Sequence, residues 1–364
     1  MTETQAFIAL NMIPRVGPIR LRRLLGRFGT PQAVLAGSAA DLTSVDGVGP
    51  EAAKSIANWE AQVDLENELR KIDEFGAKVL TWNSPEYPSA LKDIYDPPIV
   101  LYVWGELRPQ DRHAVGVVGT RKPSHYASEA AKKLSYQLAH AGLTVFSGLA
   151  RGIDTAAHQG ALAAQGRTVA VIGSGLMKLY PPENEVLARR IAAGNGAVVS
   201  EFSMEVKADR QSFPMRNRIV SGCSFGLLVV EAGLNSGALI TATQAGEQGK
   251  SIYAVPGRID QPGCMGSNRL IQQGAKLVIS AQDVLDDFGM LFPVQPDVKS
   301  PVRAPNLDPD EQAIYSAIGD DEIHIDDIAA KCGLPSHDVS STLLGLEMRR
   351  LVKQLPGARF VKLL

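Results

Sequence analysis

The feature that most constrains the fold of this 364-residue chain is an alternation of short apolar strands and helices that begins near residue 78 and ends near residue 279. Most of the strand patterns are unbroken runs of valine, isoleucine and leucine, as in strands that are covered on both faces. Alternating strands and helices favour a doubly wound, mostly parallel sheet of the α/β class. The predicted strands are Lys78–Trp82, Ile99–Trp104, Ala114–Gly119, Thr144–Ser147, Thr168–Gly173, Ala197–Glu201, Gly226–Glu231, Ser251–Val255 and Lys276–Ile279.

Small and basic residues stand where these strands pass into helices. Helix N-termini and arginine side chains both attract phosphate, and ligands of open parallel sheets bind at the carboxyl ends of the strands. No nucleophile, base and metal set accompanies the motifs, so we expect binding of a polyphosphate chain rather than catalysis. The motifs are Gly119-Thr120-Arg121-Lys122-Pro123, Ser147-Gly148-Leu149-Ala150-Arg151-Gly152, Gly173-Ser174-Gly175, Arg216-Asn217-Arg218 and Ser236-Gly237. The predicted helices are Ser124–Ala141, Asp154–Gln165, Glu183–Ala193, Met215–Ser221, Ala238–Gln248 and Ser267–Gln273.

Residues 1–76 are predicted to form short helices that include a helix-hairpin-helix pattern. Gly47 and Gly49 permit the tight hairpin before the helix that starts at Glu51. An earlier copy has Arg15 where its leading glycine would stand, so it is degenerate. Two alternatives stay open for this segment, which are contact with DNA phosphates and simple packing as a small helical module.

Two further segments follow the α/β domain, which we place at residues 77–290. The proline-rich stretch 291–309 is predicted to be an extended linker. Residues 310–364 have the order of a winged helix-turn-helix. Residues 300–364 carry seven basic and ten acidic side chains, and the pair Arg349-Arg350 lies at the far end of the expected recognition helix. We therefore favour contact with a protein over DNA reading for this domain.

Composition narrows the class of protein. The net charge is −2, so any nucleic-acid site must be a local patch. The three cysteines are widely spaced and odd in number, which favours reduced thiols in the cytoplasm over a zinc site or a disulfide framework. We expect no signal peptide and no membrane span, because the start of the chain lacks a basic and apolar leader and the apolar runs are only strand-sized.

No cofactor is expected. The dinucleotide fingerprint GxGxxG is absent, since Lys178 stands where the third glycine after Gly173 and Gly175 should be. Gly249-Lys250-Ser251 lacks the first glycine of a phosphate-binding loop and leads into a strand.

Two sets of titratable residues have both a catalytic and a structural interpretation. Asp154 and His158 lie four residues apart on one helix and could form an acid/base pair, but we favour a helix cap with the histidine packed nearby. Glu231 could be a catalytic carboxylate, but we favour a buried carboxylate bonded to backbone N–H groups or an arginine.

A cluster of basic residues surrounds one aromatic residue. Arg210, Phe213, Arg216 and Arg218 fall within nine residues. Arginine binds phosphate with two parallel hydrogen bonds, and an aromatic ring can stack on an unpaired base. We therefore favour a binding role for the cluster over a solvated loop anchored by Phe213.

Several motifs, in this order, resemble the DNA-processing protein A (DprA/Smf) family of bacteria. The resemblance covers about residues 77–288, and the flanking modules are similar to those of many family members. The motifs are Asp96-Pro97-Pro98-Ile99-Val100-Leu101-Tyr102, Val117-Val118-Gly119-Thr120-Arg121-Lys122-Pro123, Ser147 to His158, Tyr180-Pro181-Pro182-Glu183-Asn184, Phe213 to Gly222, Ser236 to Ala242 and Gly266 to Ala275.

The resemblance implies an extended Rossmann fold that binds single-stranded DNA without sequence preference, protects incoming strands during natural transformation and loads the RecA recombinase. It implies that Arg121 and Arg210 bind phosphate, that Phe213 stacks on or wedges a base, and that Ser236-Gly237 donates backbone N–H groups. It also implies a homodimer through the Rossmann domain, for which the segment Leu270 to Leu285 is our candidate surface. The expected single-stranded DNA site is Gly119, Arg121, Lys122, Ser147, Gly148, Arg151, Lys178, Arg210, Phe213, Arg216, Asn217, Arg218, Ser236 and Gly237.

The sequence also permits two rival functions. A nucleotide-hydrolysing enzyme could use Glu231 and Arg218 on a nucleoside monophosphate, but no Pro-Gly-Gly-x-Gly-Thr loop precedes a candidate glutamate. A transcription regulator could use the winged helix, which the acidic charge disfavours. We therefore expect a protein that is not an enzyme, with no catalytic residues and no metal.

Overall fold

The structure is a computed structural model that describes residues 1–291, 307–318, 323–348, 351–355 and 357–362. The chain divides into two compact units, Met1–Pro293 and Val294–Leu364. Most of the predicted linker, at 292–306, and the pair Arg349-Arg350 lie outside the described residues.

A single nine-stranded sheet organises residues 1–291, and its order is β1-β2-β6-β5-β4-β3-β7-β8-β9. All neighbours from β6 to β9 in this order are parallel, whereas β2 runs antiparallel to both β1 and β6. The sequence-based prediction of a mostly parallel α/β sheet is therefore confirmed. The strands are β1 (Lys78–Thr81), β2 (Val100–Gly105), β3 (Ala114–Val118), β4 (Thr144–Ser147), β5 (Thr168–Val171), β6 (Gly196–Ser200), β7 (Gly226–Val229), β8 (Ser251–Ala254) and β9 (Lys276–Leu277).

The boundaries of three elements differ from their predictions for local reasons. Strand β9 is shorter than predicted, because only two residues pair with β8. The helix predicted at 183–193 is broken, with an α-helix only at Glu185–Arg190, and Gly194 beyond it has a φ of 119° as the chain turns toward β6. The helix predicted to start at Met215 starts at Ser212, because the Asp209 carboxylate accepts the N–H groups of Gln211 and Ser212.

Helices cover both faces of the sheet. Successive residues of a strand point to opposite faces, so each strand contributes side chains to the apolar layers on both sides. Val169 and Val171 of β5 pack in the apolar cluster that includes residues of helices α7 (Ser89–Lys92), α11 (Ser212–Gly222) and α12 (Gly237–Glu247). Ala170 points the other way, into the cluster of the N-terminal helices, beside the cluster that contains α8, α9 and α14. The helices of this unit are α1 (Glu3–Met12), α2 (Pro18–Phe28), α3 (Pro31–Leu35), α4 (Ala39–Thr43), α5 (Pro50–Ala57), α6 (Leu65–Phe75), α7 (Ser89–Lys92), α8 (His125–His140), α9 (Ile153–Ala163), α10 (Glu185–Arg190), α11 (Ser212–Gly222), α12 (Gly237–Glu247), α13 (Met265–Gln272) and α14 (Gln282–Leu291).

The N-terminal helices contain the predicted pair of hairpins. Gly47 leads into α5 with a φ of 78°, and a Cβ there would overlap the Arg23 guanidinium. Arg15 stands at the matching place before α2 and has a φ of 69°, so the degenerate copy keeps the left-handed turn without glycine. Phe7 and Ile8 of α1 belong to the same apolar cluster as Val100 of the sheet, so this helical module packs directly on the α/β fold.

The second unit has three helices and a small antiparallel sheet among its described residues, in the order expected of a winged helix. Its apolar core includes Ile314, Ile328, Val339, Leu343 and Phe360. The elements are α15 (Pro309–Ala317), β10 (Ile323–His324), α16 (Ile325–Cys332), α17 (Ser336–Met348), β11 (Val352–Leu355) and β12 (Arg359–Lys362), with the sheet order β10-β12-β11.

In the part of the chain that the structure describes, every helix is too short or too polar to cross a membrane.

One buried ion pair ties α11 to the sheet. The Arg218 guanidinium donates from Nη1 and Nη2 to the two carboxylate oxygens of Glu201 at 2.7 Å each, and from Nε to Asp96 at 2.9 Å. Glu201 directly follows β6, and Asp96 lies in the loop before β2. Arg218 is 5% exposed, so its charge is fully engaged inside the protein.

We predict that Arg218→Met destabilises the first unit by about 3–5 kcal/mol, because it leaves Glu201 buried without its partner. Urea unfolding followed by tryptophan fluorescence measures this, since all three tryptophans lie within Met1–Pro293. Arg70→Met is the matched control, because its ion pair with Glu74 is exposed and should contribute less than about 1 kcal/mol. An equal loss of unfolding free energy in Arg218→Met and Arg70→Met would contradict the structural role of Arg218.

Candidate nucleic-acid interface

The strand order reverses between β3 and β7, which are adjacent in space but far apart in sequence. In open α/β sheets, ligands bind beyond the carboxyl ends of the strands at such a switch point. A groove of about 950 Å³ lies at this place. Its lining includes residues that follow β3, β4, β6, β7 and β8, among them Gly119, Arg121, Lys122, Ala150, Asp154, Arg210, Phe213, Arg216, Asn217, Leu234, Asn235, Ser236, Gly237, Ile240 and Met265.

The loops after β3 and β7 are fixed to each other by Glu231. Its carboxylate accepts the backbone N–H of Ser124 at 3.1 Å and the Ser124 hydroxyl at 2.5 Å, while Ser124 caps α8. The carbonyl of Glu231 also accepts the N–H of Thr120 at 2.7 Å. A Cβ at Gly119 would overlap Ile153, so glycine lets this loop pack closely on α9. Glu231 is therefore a buried structural carboxylate, the favoured interpretation from sequence. Of the two kinds of partner left open, it has a backbone N–H group, that of Ser124, and the Ser124 hydroxyl is an additional donor.

The floor of the groove contains a buried guanidinium. Arg216 is 4% exposed, and its Nη1 donates to the carbonyl oxygens of Gly148 and Val171. A Cβ at residue 148 would overlap the guanidinium, so glycine is required for this approach. Burial lowers the pKa of Arg216 to about 10, and the nearby charge of Asp154 opposes that shift. Asp154 itself accepts the N–H groups of Gly148 and Ala150, so arginine and carboxylate hold the same loop from two sides.

Above this floor, an exposed arginine lies over the predicted stacking residue. The Cζ atom of Arg121 is 4.8 Å from the centre of the Phe213 ring, which is within the range of a cation–π contact. The ring of Tyr180 lies 6.0 Å from the Phe213 ring at an angle of 50°. The side chain of Phe213 is half-buried, and so one aromatic face at the groove is shared by a cation and a second aromatic.

The N-terminus of α12 points into the same groove. The Ser236 hydroxyl accepts the N–H of Ala238 at 3.3 Å, and the N–H of Ser236 is used in a turn to Gly233. Gly237 is the first helical residue, a position whose N–H has no acceptor inside the helix. A Cβ at Gly237 would meet open space, so the backbone there is accessible from the groove.

Charge at the groove is mostly positive. Arg121, Lys122 and Arg210 are exposed, and Arg216 lies beneath them. Asp154 is the acidic lining residue, and its carboxylate is buried and bonded to backbone N–H groups. An anion in the groove would therefore meet several cations and helix N-terminal N–H groups. The described residues contain no group of three or more side chains suited to hold a metal ion.

The structure does not bring all the predicted residues to this groove. Arg218 lies in the buried pair described above, and the Ser147 hydroxyl is buried and donates to the Val117 carbonyl. Arg151 is exposed beside Phe213, where it is ion-paired with Glu183. Lys178 lines a neighbouring groove, 3.9 Å from Glu205.

Asp154 and His158 do not act on a common atom. Asp154 holds the loop before α9 and is not the cap of that helix, whose N-cap is Gly152. The Thr168 hydroxyl donates to the Val145 carbonyl, so it accepts from Nδ1 of the buried His158 at 2.7 Å. Burial, and less strongly the charge of Arg216, lowers the pKa of His158 to about 3. The structural interpretation of both residues is therefore favoured, with Asp154 serving the loop rather than the helix.

Tyr180 lies against Phe213 beside the groove, and sequence reasoning did not select it as a site residue. Its motif, Tyr180-Pro181-Pro182, belongs to the resemblance but carries no charge that would indicate a binding role. Leu234, Asn235 and Met265 line the groove between β3 and β7, and no charge or spacing signal distinguishes them in the sequence.

Comparison with known families gives three consecutive matches along the chain. Residues 78–289 match the profile of DNA recombination-mediator protein A. Residues 298–358 match the DprA winged helix domain, and residues 7–59 match the SAM-like helix-hairpin-helix tandem. The three matches fall in the order predicted from sequence.

Individual proteins give the same result. The chain is 33% identical to Protein Smf of Synechocystis over 99% of this chain and 98% of that protein. It is 42% identical to DNA processing protein DprA of Bacillus subtilis over 59% of this chain and 72% of that one. A crystal structure of DNA processing protein A from Streptococcus pneumoniae superposes with a TM-score of 0.70 and 33% identity, covering 79% of this chain and 99% of that one. A structure that concerns the single-stranded DNA binding mode of DNA processing protein A from Helicobacter pylori superposes with a TM-score of 0.54 and 28% identity, covering 60% and 99%.

Burial of His158 makes stability depend on pH. The unfolded chain takes up a proton on this imidazole near its ordinary pKa of about 6.5, whereas the folded pKa is about 3. Stability is therefore lost as the pH falls through this interval, by about 2–3 kcal/mol at about pH 4.5. We predict that His158→Asn loses less stability than the wild type between about pH 7.5 and about pH 4.5, measured by urea unfolding. His140→Gln, at an exposed position, is the control and should keep the wild-type pH dependence. A wild-type pH dependence in His158→Asn would refute the assignment.

Proposed function

Because this chain belongs to the DNA recombination-mediator protein A (DprA/Smf) family, we propose that its groove between β3 and β7 binds single-stranded DNA. The observation that carries the proposal is the contact of an exposed arginine, Arg121, with an accessible aromatic ring, Phe213, at a helix N-terminus. A backbone phosphate and an unpaired base are the two groups that such an arrangement recognises together.

The physical basis of binding is electrostatic and without sequence preference. Arg121, Lys122 and Arg210 bind the sugar–phosphate backbone, assisted by the free N–H at the start of α12. Phe213 stacks on one base, and every base has a face that permits this. Duplex DNA binds more weakly, because its bases are paired and cannot reach Phe213.

The same family membership supports the finer roles. We propose that the protein acts in the cytoplasm, protects incoming strands during natural transformation and helps to load the RecA recombinase onto them. The match to a recombination-mediator family supports the RecA role. The helix-hairpin-helix module and the winged helix serve as accessory domains in this scheme.

An enzymatic function has less support. A hydrolase of nucleoside monophosphates would need Glu231 free for catalysis, and both of its carboxylate oxygens accept hydrogen bonds from Ser124. The hydrolase would also need Arg218 to bind its substrate, and the guanidinium of Arg218 is already bonded to the carboxylates of Glu201 and Asp96. We therefore propose a binding protein with no catalytic residues and no cofactor.

We propose a homodimer that forms through the Rossmann domain. The segment Leu270 to Leu285 contains β9, one of the two edge strands of the sheet, whose outer edge is paired with no strand among the residues that the structure describes. Leu277 and Ile279 there are 44% and 79% exposed. An unpaired strand edge with exposed apolar side chains is a surface that a second copy can cover.

The central prediction concerns salt. We expect Arg121→Ala and Arg210→Ala each to weaken binding of a fluorescent oligothymidylate, and to lower the slope of log affinity against log salt by about 0.7 for each lost phosphate contact. Fluorescence anisotropy over a salt series measures both quantities. Arg70→Ala, an exposed arginine on α6, is the matched control and should keep the wild-type values. Wild-type affinity and slope in both groove variants would eliminate the assigned site.

The dimer proposal makes a separate prediction. We expect Ile279→Asp to shift the protein from dimer toward monomer, because it places a charge on the apolar edge. Sedimentation velocity measures the shift. Ile259→Asp is the control, since Ile259 is 93% exposed but lies outside the segment. A dimer of unchanged strength in Ile279→Asp would exclude this edge as the interface.

A further inference from the structure

A second groove, of about 940 Å³, lies beside the first and has no role in the function proposed so far. Its lining includes the end of α6, at Glu74 and Phe75, and residues Glu185 and Arg189 of α10. The remaining lining is Trp104, Leu176, Met177, Lys178, Leu179, Tyr180, Pro182, Lys207 and Ala208.

Its central feature repeats the chemistry of the first groove. The Cζ atom of Arg189 lies 5.9 Å from the centre of the Trp104 ring, as Arg121 lies over Phe213. The edge-to-face contact of Trp104 with Phe75, at 5.2 Å and 71°, fixes the orientation of the indole ring. Each groove therefore offers a half-buried aromatic ring with a cation above it.

Tyr180 joins the two grooves. Its ring lies 6.0 Å from Phe213, and the same residue lines the second groove. Lys178, two residues earlier, also lines the second groove. A strand that leaves Phe213 along this side would therefore pass Tyr180 and Lys178 before it reaches Trp104.

The basic side chains of the second groove are paired with carboxylates that a phosphate could replace. Arg189 is bonded to Glu185 at 2.6 Å, and Lys178 lies 3.9 Å from Glu205. Both pairs are largely exposed, and such pairs contribute little to stability. A phosphate can therefore replace the carboxylates at low cost. Lys207 adds a third cation to the lining of the second groove.

We propose that the second groove binds a further nucleotide of the same single strand, with a base stacked on Trp104 and backbone phosphate bound by Lys178, Arg189 and Lys207. The inference rests on the proposed function, because it extends the path of the strand that Phe213 and Arg121 hold. It makes the length of the bound strand a determinant of affinity: short strands fill the first groove, and longer strands reach both.

The test uses oligothymidylates of about 4 and about 16 nucleotides, the range of single-strand site sizes. Trp104→Leu should weaken binding of the long strand by about 5- to 150-fold, the effect of losing one stacked base, and leave the short strand unchanged. Arg189→Gln, an exposed substitution that leaves the core intact, should lower the salt slope for the long strand alone. Trp59→Leu, in the N-terminal module, is the matched control.

Fluorescence gives a direct readout of stacking. In the Trp59→Phe, Trp82→Phe double variant, Trp104 is the remaining tryptophan, and the long strand should quench it while the short strand does not. Long-strand binding that depends on Arg121 but leaves Trp104 unquenched would overturn this inference and preserve the proposed function. Equal weakening of short and long strands by Trp104→Leu would overturn it too. If neither strand binds the wild type at low salt, the proposed function itself fails.

Discussion

The candidate interface depends on the burial of one arginine. Arg216 holds the carbonyl oxygens of Gly148 and Val171, so a guanidinium under the groove ties the end of β5 to the loop after β4. A charge taken out of water needs partners on several sides, and it finds them in two carbonyl oxygens, the amide oxygen of Asn217 and the nearby carboxylate of Asp154. Arg216 is consequently a fixed element of the scaffold. It adds positive potential to the groove, while Arg121 and Arg210 are exposed in the lining of that groove.

A chain with a net charge of −2 can present a basic groove because of where its acids are bonded. Near the carboxyl edge of the sheet, Asp154 accepts backbone N–H groups, Glu231 accepts from Ser124, and Glu201 is paired with Arg218. All three carboxylates are buried, so they stabilise loops and helices from within while Arg121, Lys122 and Arg210 stay exposed. Local potential, rather than net charge, then decides which ligand such a surface attracts.

Sequence patterns predicted the sheet well because its strands are buried on both faces and so leave unbroken apolar runs. Sequence patterns predicted less well where a side chain is placed by partners that are distant in the sequence. Arg216 and Arg218 stand two residues apart on α11, so they leave the helix in different directions. Arg218 turns to Glu201 and Asp96, which are 17 and 122 residues away in sequence, and no local pattern indicates that pairing. The cluster of basic residues around Phe213 placed both arginines in the predicted ligand site. The structure instead places Arg216 beneath the groove and Arg218 in a buried ion pair away from it. No local signal marks Tyr180 as a site residue, because an isolated tyrosine before two prolines has no distinguishing charge or period.

The pairing of Arg121 with Phe213 before any ligand binds raises the question of which partner the ring prefers. An exposed cation–π contact is worth about 0.5–1 kcal/mol, whereas stacking of a base on an aromatic side chain is worth about 1–3 kcal/mol. A base can therefore displace the guanidinium from the ring, and the released arginine gains a charged partner when it moves to the adjoining phosphate. When a base replaces the guanidinium on the ring, two contacts form together: the base stacks on Phe213, and Arg121 binds the phosphate. In the proposed function the free groove is preorganised in this sense, because Arg121 already lies over the ring on which a base would stack. A duplex, whose bases stay stacked on each other, cannot start the exchange, and this asymmetry is the physical basis of the proposed preference for single strands.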